Sequence, residues 1–253
     1  MNTILYADQL CVKIATSRTE AGICAAADIA SCLRSLQDSQ EEINVIFAAA
    51  PSQNEMLSAL VSLPDIRWDK INAFHMDEYI GLPQDAPQSF GRYLREHLFD
   101  KVPFRAVYTI QNETETPEQT IERYSALLRA HPVDVVCLGI GENGHIAFND
   151  PPVADFHDLV PMKKVQLDPV CRAQQVHDGC FASLDDVPQY ALTLTIPSLC
   201  RAAHMFCTVP AATKAQAVYD TIHQPINERV PATILRTHPH AVLYCDPDSA
   251  SLL

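Results

Sequence analysis

The sequence predicts an α/β fold in which an open, mostly parallel, Rossmann-like sheet carries helices on both faces. Short apolar runs alternate along the chain with longer segments whose apolar residues recur at helical spacing, and such alternation is typical of parallel sheets. One of these runs, Val135–Leu138, leads into a glycine-rich turn, which is where open α/β sheets place their ligands. Hydrophobic residues make up 47% of the 253 residues, which is enough for a large core, and we expect residues 1–253 to form a single domain.

The individual elements follow from periodicity and from the residues that begin or end them. Apolar runs such as INVIFAAA predict strands, and Ser89 and Pro117 stand where helices are expected to begin. The predicted strands are 43–50, 71–76, 106–110, 135–138, 159–167, 190–195, 205–209 and 241–245. The predicted helices are 20–36, 52–63, 89–99, 117–130, 211–222 and 231–236, and residues 77–88 are predicted to form a loop.

Charge and cysteine usage narrow the classes of function. The formal net charge of −13 argues against nucleic acid or an anionic membrane as the partner, although a few local cations could still hold a small anion. The first residues, MNTILYADQLCVKIA, carry no basic region and no uninterrupted apolar core, and no apolar run reaches membrane-spanning length. The nine cysteines include no CxxC pair, which indicates reduced thiols. We therefore expect a cytoplasmic protein.

The glycine-rich turn indicates a ligand site. Three of the seven glycines, Gly139, Gly141 and Gly144, lie within six positions of one another. Glycine is used where φ is positive or where backbone approaches a ligand closely. The spacing also matches the GxGxxG fingerprint of dinucleotide binding, but that function needs a long helix starting within the glycines. Pro151 and Pro152 would interrupt such a helix within about two turns, which disfavours a nicotinamide or flavin cofactor.

Groups able to move protons cluster at two predicted strand ends. His145, Asn149 and Asp150 follow the glycine turn, and Asp77 and Glu78 follow another predicted strand. Each has a structural alternative, because an acid after a strand commonly caps a turn, Asn is a common turn residue, and a lone histidine is commonly hydrogen-bonded within the core. We expect both segments to lie at the same rim of the sheet, where together they would form an active site.

Two motifs, MDEYIGL and GIGENGHIAFNDPP, together with VPQYALTL and Lys214, resemble the glucosamine-6-phosphate deaminase (isomerase) family. The resemblance covers most of the chain from the second predicted strand onward and implies aldose–ketose isomerisation with loss of ammonia. Asp77 matches the base that takes the C2 proton and returns it at C1. His145 matches the residue that opens the sugar ring, a role that suits imidazole because it titrates near neutrality. Asn143 and Asp150 match the positions that orient and tune this histidine.

The resemblance also sets expectations for the details of this chemistry. Asp150 stands where the family often has Glu, and because Asp is one methylene shorter we expect its link to His145 to be water-mediated or slightly shifted. No cofactor is implied. No metal is expected either, because isomerisation through an enediol needs only proton transfer and the sequence has no HExxH or paired-cysteine pattern.

The segment expected to hold the substrate phosphate departs from the family pattern. Residues 48–55, AAAPSQNE, contain no glycine, and Ser52-x-x-Glu55 predicts a capping box whose carboxylate would oppose a phosphate at that helix N-terminus. The arginine that the family carries before an aromatic pair is missing near residues 179–181. We expect the substrate to be bound by Ser52, Gly141, Gly144, Arg172 and Lys214. Either the serine and the two cations hold the phosphate in a modified cradle, or the substrate is not the usual sugar phosphate.

Other functions stay open at the level of the sequence. A 6-phosphogluconolactonase-like hydrolase would share the GxGxxGH pattern, but that family typically has DER where this chain has Asp77-Glu78-Tyr79. A related deaminase could act on a different amino sugar, and a sugar-sensing regulator would carry a helix-turn-helix module, for which this sequence has no segment to spare. We therefore expect an enzyme that takes a small-molecule amino-sugar phosphate. The sequence leaves its epimer preference, its assembly into a homo-oligomer and its regulation undecided.

Overall fold

The computed structural model describes residues 3–83, 85–111 and 114–253. In chain order the strands are β1 Thr3–Ala7, β2 Leu10–Ile14, β3 Ile43–Phe47, β4 Ile71–His75, β5 Asp77–Tyr79, β6 Ala106–Tyr108, β7 Val135–Leu138, β8 Met162–Gln166, β9 Tyr190–Leu194, β10 His204–Val209 and β11 Ala241–Cys245. The α-helices are α1 Arg18–Ser39, α2 Asn54–Ser62, α3 Phe90–Leu94, α4 Pro117–Ala130, α5 Pro169–His177, α6 Ile196–Cys200 and α7 Ala215–His223. Short 3₁₀ segments are Pro51–Gln53, Trp68–Lys70, Leu184–Asp186, Ala212–Lys214 and Pro231–Thr237, and Arg95–Phe99 is a π-helical turn.

The main sheet has eight strands in the order β1-β2-β11-β10-β7-β3-β4-β6, and its pairs are parallel except for the antiparallel hairpin of β1 and β2. The chain fills one side of the sheet with β3, β4 and β6, and then crosses to β7 on the other side of β3. A crevice opens at such a reversal point, at the carboxyl ends of the strands. The predicted α/β class and mostly parallel sheet are confirmed.

The core lies on both faces of this sheet. Every residue of β3, β4 and β7 is buried, as expected for parallel strands covered on both sides. Along β7, Val135 and Cys137 pack with α1 and α2, whereas Val136 and Leu138 pack with residues of α4 and α7. Side chains of a strand alternate between faces, so these two hydrophobic clusters place helices on both sides of the sheet. In the described part of the chain, no helix combines the length and apolar character that crossing a bilayer requires.

The prediction of a loop over 77–88 is wrong at its start, because Asp77–Tyr79 forms β5. This strand pairs antiparallel with β9, which also pairs antiparallel with β8, in a separate sheet of three strands. A three-residue strand shows no usable periodicity, and its partner lies more than a hundred positions later in the chain. The sequence pattern alone therefore could not predict the small sheet.

Two helix predictions also need correction at the ends that face the site. The helix predicted from Ser52 begins as the 3₁₀ turn Pro51–Gln53 and continues as α2 from Asn54. The helix predicted over 211–222 likewise begins with the 3₁₀ turn Ala212–Lys214 before α7. The helix α5 was not predicted, because two of its three buried residues, Gln174 and Gln175, are polar and give no apolar repeat.

Candidate active site

An open cleft of about 850 Å³ lies at the carboxyl end of the main sheet. Four turns line it, and they follow β3, β4, β7 and β10, so the crevice between β3 and β7 is at its centre. A further wall comes from α5 and the residues after it. The polar and charged lining residues are Arg18, Ser52, Gln53, Asp77, His145, Gln174, Gln175, Asp178, Thr213 and Lys214.

The glycine turn after β7 makes room for the His145 ring. A Cβ on Gly141 would lie 2.1 Å from Cε1 of His145, so no larger residue fits there while the ring keeps its place. Gly144 has φ +81°, and a Cβ on it would lie 2.9 Å from Val230. Gly141 lines the cleft as predicted, whereas Gly144 lies outside its lining and serves the turn instead.

Two side chains on the Nδ1 side of the ring orient His145. Its Nδ1 lies 2.7 Å from Oδ1 of Asn143 and 2.9 Å from Oδ1 of Asp150, and Asn143 Nδ2 donates to the same carboxylate at 2.9 Å. The contact with Asp150 is direct, so the expectation of a water-mediated link is wrong, and a slight shift stays a prediction. With both acceptors on the Nδ1 side, Nε2 is the ring nitrogen left for a substrate.

Asp150 is fully buried, and its environment favours the carboxylate. Burial alone raises the pKa of this group, but the hydrogen bond and the charge of His145, with help from Asn143 and the Asp168 N–H, hold the pKa below its usual value. A carboxylate that stays ionised fixes the proton on Nδ1 of the imidazole. Asn143 and Asp150 are therefore placed to set the tautomer of His145.

Asp77 lines the cleft directly after β4, and it is 7% exposed. Burial raises the pKa of its carboxyl well above the usual value, and the neighbouring charge of Glu78 raises it further. Among the described residues, no backbone N–H or side chain donates a hydrogen bond to this carboxylate. An acid in such a setting holds protons tightly and is suited to exchanging one with a bound ligand.

The backbone of Asp77 is held by His75. Its Nδ1 lies 3.1 Å from the Asp77 carbonyl oxygen, and its Nε2 accepts from the Ile110 N–H at 2.8 Å. Burial lowers the pKa of His75 to about 3, so this ring is neutral and serves as a fixed strut. The structural role that is common for a core histidine thus applies to His75, which no pattern in the sequence marks.

Glu78 has the structural role that is common for an acid after a strand. Its carboxylate accepts from the N–H groups of Tyr79, Phe90 and Gly91 and from the hydroxyl of Ser89, at distances between 2.9 and 3.1 Å. It therefore caps the start of α3. Burial raises the pKa of Glu78, and these four donors oppose the rise.

The predicted cations differ in position. Lys214 lines the cleft and is buried, and this burial lowers its pKa against the opposing charges of Asp178 and Glu142. Arg172 does not line the cleft, because its Nη2 donates to the backbone oxygens of Leu184 and Val187. In this structure the side chain instead braces the segment before β9, and substrate binding by Arg172 stays a prediction.

The turn after β3 contains Ser52, which lines the cleft as predicted, but the predicted capping box is absent. The residue before α2 makes no side-chain cap, and Glu55 Oε1 instead accepts from Arg18 Nε at 2.8 Å. A partner 37 positions earlier in the chain outcompetes the local contact. Arg18 itself lines the cleft and was missed. Its signal in the sequence is a cation directly after the Ser17 cap, in the helical turn where cations are disfavoured.

The turn after β10 contains a strained residue. Ala211 has φ +88° and ψ 147°, a region that only glycine adopts freely. Its N–H donates to both carboxylate oxygens of Asp246, at 3.2 Å each. This conformation starts the short helix that carries Thr213 and Lys214 into the cleft.

Three potential metal ligands meet at the contact between His145 and Asp150. The ligand atoms of His145, Asp150 and Cys171 lie within 4.8 Å of one another, and all three residues are buried. The imidazole and the carboxylate are already joined through a proton, and burial raises the pKa of the Cys171 thiol well above its usual value. These groups are suited to holding protons in this arrangement. That the reaction needs no metal stays a prediction.

Fold and site together are typical of an open α/β enzyme whose titratable side chains gather at the reversal point of its sheet. Residues 17–244 match the family described as glucosamine-6-phosphate isomerases/6-phosphogluconolactonase. A glucosamine-6-phosphate deaminase of Listeria innocua serovar 6a is 32% identical over 212 residues, which cover 84% of this chain and 88% of the relative. The deaminase of Streptococcus pneumoniae serotype 4 is also 32% identical, over 191 residues that cover 75% of this chain and 79% of the relative.

Solved structures show the same fold. A monomeric glucosamine-6-phosphate deaminase superposes with a TM-score of 0.86 at 25% identity, over 96% of this chain and 99% of that one. A 6-phosphogluconolactonase from Thermotoga maritima superposes with a TM-score of 0.75 at 20% identity, over 93% and 98% of the two chains. The chain belongs to the glucosamine-6-phosphate isomerase/6-phosphogluconolactonase family.

Proposed function

We propose that this protein converts an amino-sugar phosphate and water into a ketose phosphate and ammonia, with glucosamine 6-phosphate as the reference substrate. The observation that carries the proposal is the pairing, in one cleft, of a buried acid of raised pKa, Asp77, with the His145–Asn143–Asp150 relay. The relatives that bear the name glucosamine-6-phosphate deaminase support the same activity.

In this mechanism His145 opens the sugar ring. Its Nδ1 is committed to Asn143 and Asp150, so Nε2 moves the proton between the ring oxygen and the anomeric hydroxyl. The product of this step is the open-chain aldehyde, whose carbonyl makes the proton on C2 acidic.

Asp77 then acts as the base. Its carboxylate takes the C2 proton to give an enolamine and returns a proton to C1, which leaves an imine at C2. Water adds to that carbon and ammonia leaves, so the overall balance is one water consumed and one ammonia released. A carboxyl pKa raised by burial strengthens this base, because proton transfer is most efficient when the pKa lies near the operating pH.

The test is a substrate panel scored for ammonia. Glucosamine 6-phosphate, galactosamine 6-phosphate and free glucosamine are the amino sugars, and 6-phosphogluconolactone tests the alternative hydrolase. We expect ammonia from at least one phosphorylated amino sugar and no enzyme-dependent loss of the lactone. Lactone hydrolysis without ammonia release from any amino sugar would contradict the proposal.

We also propose the compartment and the domain organisation in which this activity occurs. No disulfide joins the nine cysteines, all of which lie in the described residues, and this supports a reducing compartment such as the cytoplasm. We propose that residues 1–253 act as a single domain on a small-molecule substrate. Assembly into a homo-oligomer is compatible with the exposed apolar side chains of Ile4 and Tyr6 on the edge strand β1.

A further inference from the structure

We infer that Arg18, the first residue of α1, binds the phosphoryl group of the substrate, and that Glu55 positions it. The inference rests on the proposed function for the identity of the ligand, an amino-sugar phosphate. It assigns a cation to the end of the cleft where the turn after β3 lies. It also reverses the effect expected for Glu55 from the sequence, where that acid was predicted to repel the phosphate.

The guanidinium of Arg18 is held in a fixed orientation beside this turn. Its Nε donates to Glu55 Oε1 at 2.8 Å, and its Nη2 donates to the Pro51 carbonyl oxygen at 2.7 Å. Arginine has five N–H donors in a rigid fork, so these two contacts leave three N–H groups for a ligand. Arg18 lines the cleft beside Pro51 and Ser52, whereas Glu55 does not line it. A phosphate entering here meets the guanidinium and not the carboxylate.

Close packing of two helices determines where Arg18 lies. A Cβ on Gly22 would lie 2.5 Å from Cβ of Glu55 and 2.8 Å from Met56 N, so α1 contacts the start of α2 at a distance that only glycine permits. Arg18 and Gly22 are four positions apart and share one face of α1. Arg18 therefore lies one helical turn beyond this contact, above the 3₁₀ turn that begins at Pro51.

The charges of the cleft favour this assignment. Among the described residues, the arginines and lysines that line the cleft are Arg18 and Lys214. Lys214 faces the charges of Asp178 and Glu142, and Arg172 is bound to backbone oxygens elsewhere. Glu55 balances the charge of Arg18 without lining the cleft. Its second oxygen, Oε2, is buried with no hydrogen-bond partner. Planar, bidentate contact with phosphate is the interaction for which arginine is best suited.

The test measures binding of three probes by calorimetry: inorganic phosphate, glucosamine 6-phosphate and free glucosamine. Arg18→Gln should weaken binding of inorganic phosphate and of glucosamine 6-phosphate by about tenfold or more, since charge-assisted hydrogen bonds are lost. The affinity for free glucosamine should change by no more than about twofold. Arg18→Lys keeps the charge without the fork, so we expect an intermediate loss. The matched control is Arg34→Gln on the same helix, whose Nη1 contacts the Pro64 carbonyl oxygen, and it should change no affinity.

Glu55→Gln separates positioning from repulsion. We expect it to weaken binding of the phosphorylated probes by about threefold to tenfold and to leave free glucosamine unchanged. A purely structural role would lower thermal stability without changing this discrimination between the two classes of probe. Equal losses for all three probes, no loss in Arg18→Gln, or tighter phosphate binding in Glu55→Gln would each overturn the inference.

The proposed deaminase activity and the proposed role of Arg18 can each be contradicted without the other. If the wild-type protein releases no ammonia but Arg18→Gln still weakens binding of inorganic phosphate, the deaminase proposal fails and the assignment of Arg18 stands. If ammonia is released and Arg18→Gln binds all three probes like the wild type, the assignment fails and the deaminase proposal stands.

Discussion

At the scale of single residues, two adjacent acids have opposite roles because β5 turns them to opposite sides. Asp77 faces the cleft, and Glu78 accepts four hydrogen bonds at the start of α3. The sequence predicted that acids would gather at this strand end. Which of them is available to a ligand depends on the tertiary contact between Glu78 and the start of α3, which the sequence pattern does not show.

Arg18 illustrates the same limit. That His145, Asn143, Asp150 and Asp77 lie at the carboxyl end of the main sheet could be predicted, because each belongs to a motif next to a strand end. Arg18 lies outside any motif, and its link to Glu55 spans 37 positions. A local rule, the capping box, gave the wrong partner for Glu55, because it considers only neighbours along the chain.

The direct contact between Asp150 and His145 yields a test of packing. Asp150 is fully buried, so Asp150→Glu should destabilise the fold by about 1 to 3 kcal/mol through overpacking. The longer side chain should also displace the His145 ring and lower kcat. Urea unfolding and steady-state ammonia release are the measurements. Asp155→Glu, in an exposed part of the neighbouring loop, is the control and should change neither. Wild-type stability and rate in Asp150→Glu would show that the direct contact is dispensable.

At the scale of elements, the sequence predicted most of the strands and helices of the main sheet. Long segments such as α1 and α4 carry clear helical periodicity and caps, and α4 also carries the full capping box of Thr116 and Gln119. The small sheet of β5, β9 and β8 could not be predicted, since its pairing is long-range and its first strand is too short for a period. The 3₁₀ turns before α2 and α7 could not be predicted either, because three residues are too few to show a period.

The strained turn before α7 yields a prediction at this scale. Ala211 lies in a backbone region that costs about 1 to 3 kcal/mol for a residue with a Cβ. Ala211→Gly should therefore raise the free energy of unfolding by about 1 kcal/mol. This net gain is smaller than the relieved strain, because glycine also makes the unfolded chain more flexible. The control is Ala212→Gly, one position later and without a positive φ, which should destabilise by up to about 1 kcal/mol. Chemical denaturation compares the pair, and equal effects of the two variants would argue against strain at Ala211.

At the scale of the whole molecule, the buried acid Asp77 lowers the stability of the fold as the pH rises. The pKa of Asp77 is raised in the folded protein, so folding favours its protonated form. Its contribution is fully present below the unfolded pKa of about 4 and is lost as the pH rises through the folded pKa. Asp77→Asn removes this loss, so the variant should gain stability relative to the wild type as the pH rises through that window.

The opposite sign is expected for Asp150, whose pKa is lowered by its partners. Its contribution is present above the unfolded pKa and is lost as the pH falls through the folded pKa. Asp150→Asn should therefore lose stability relative to the wild type as the pH rises, while Asp77→Asn gains. Urea unfolding of the three proteins from pH 3 to pH 8 is the measurement. Parallel pH curves for the two variants would contradict this assignment of charges.

The measurement that tests the central claim most directly is hydrogen exchange at C2 of glucosamine 6-phosphate in D₂O, followed by NMR together with ammonia release. We predict that Asp77→Asn lowers both rates by a factor of about 10² to 10⁴ and leaves the dissociation constant of the substrate nearly unchanged, since only the base is lost. Undiminished C2 exchange in this variant would show that another group takes the proton and would remove Asp77 from the mechanism.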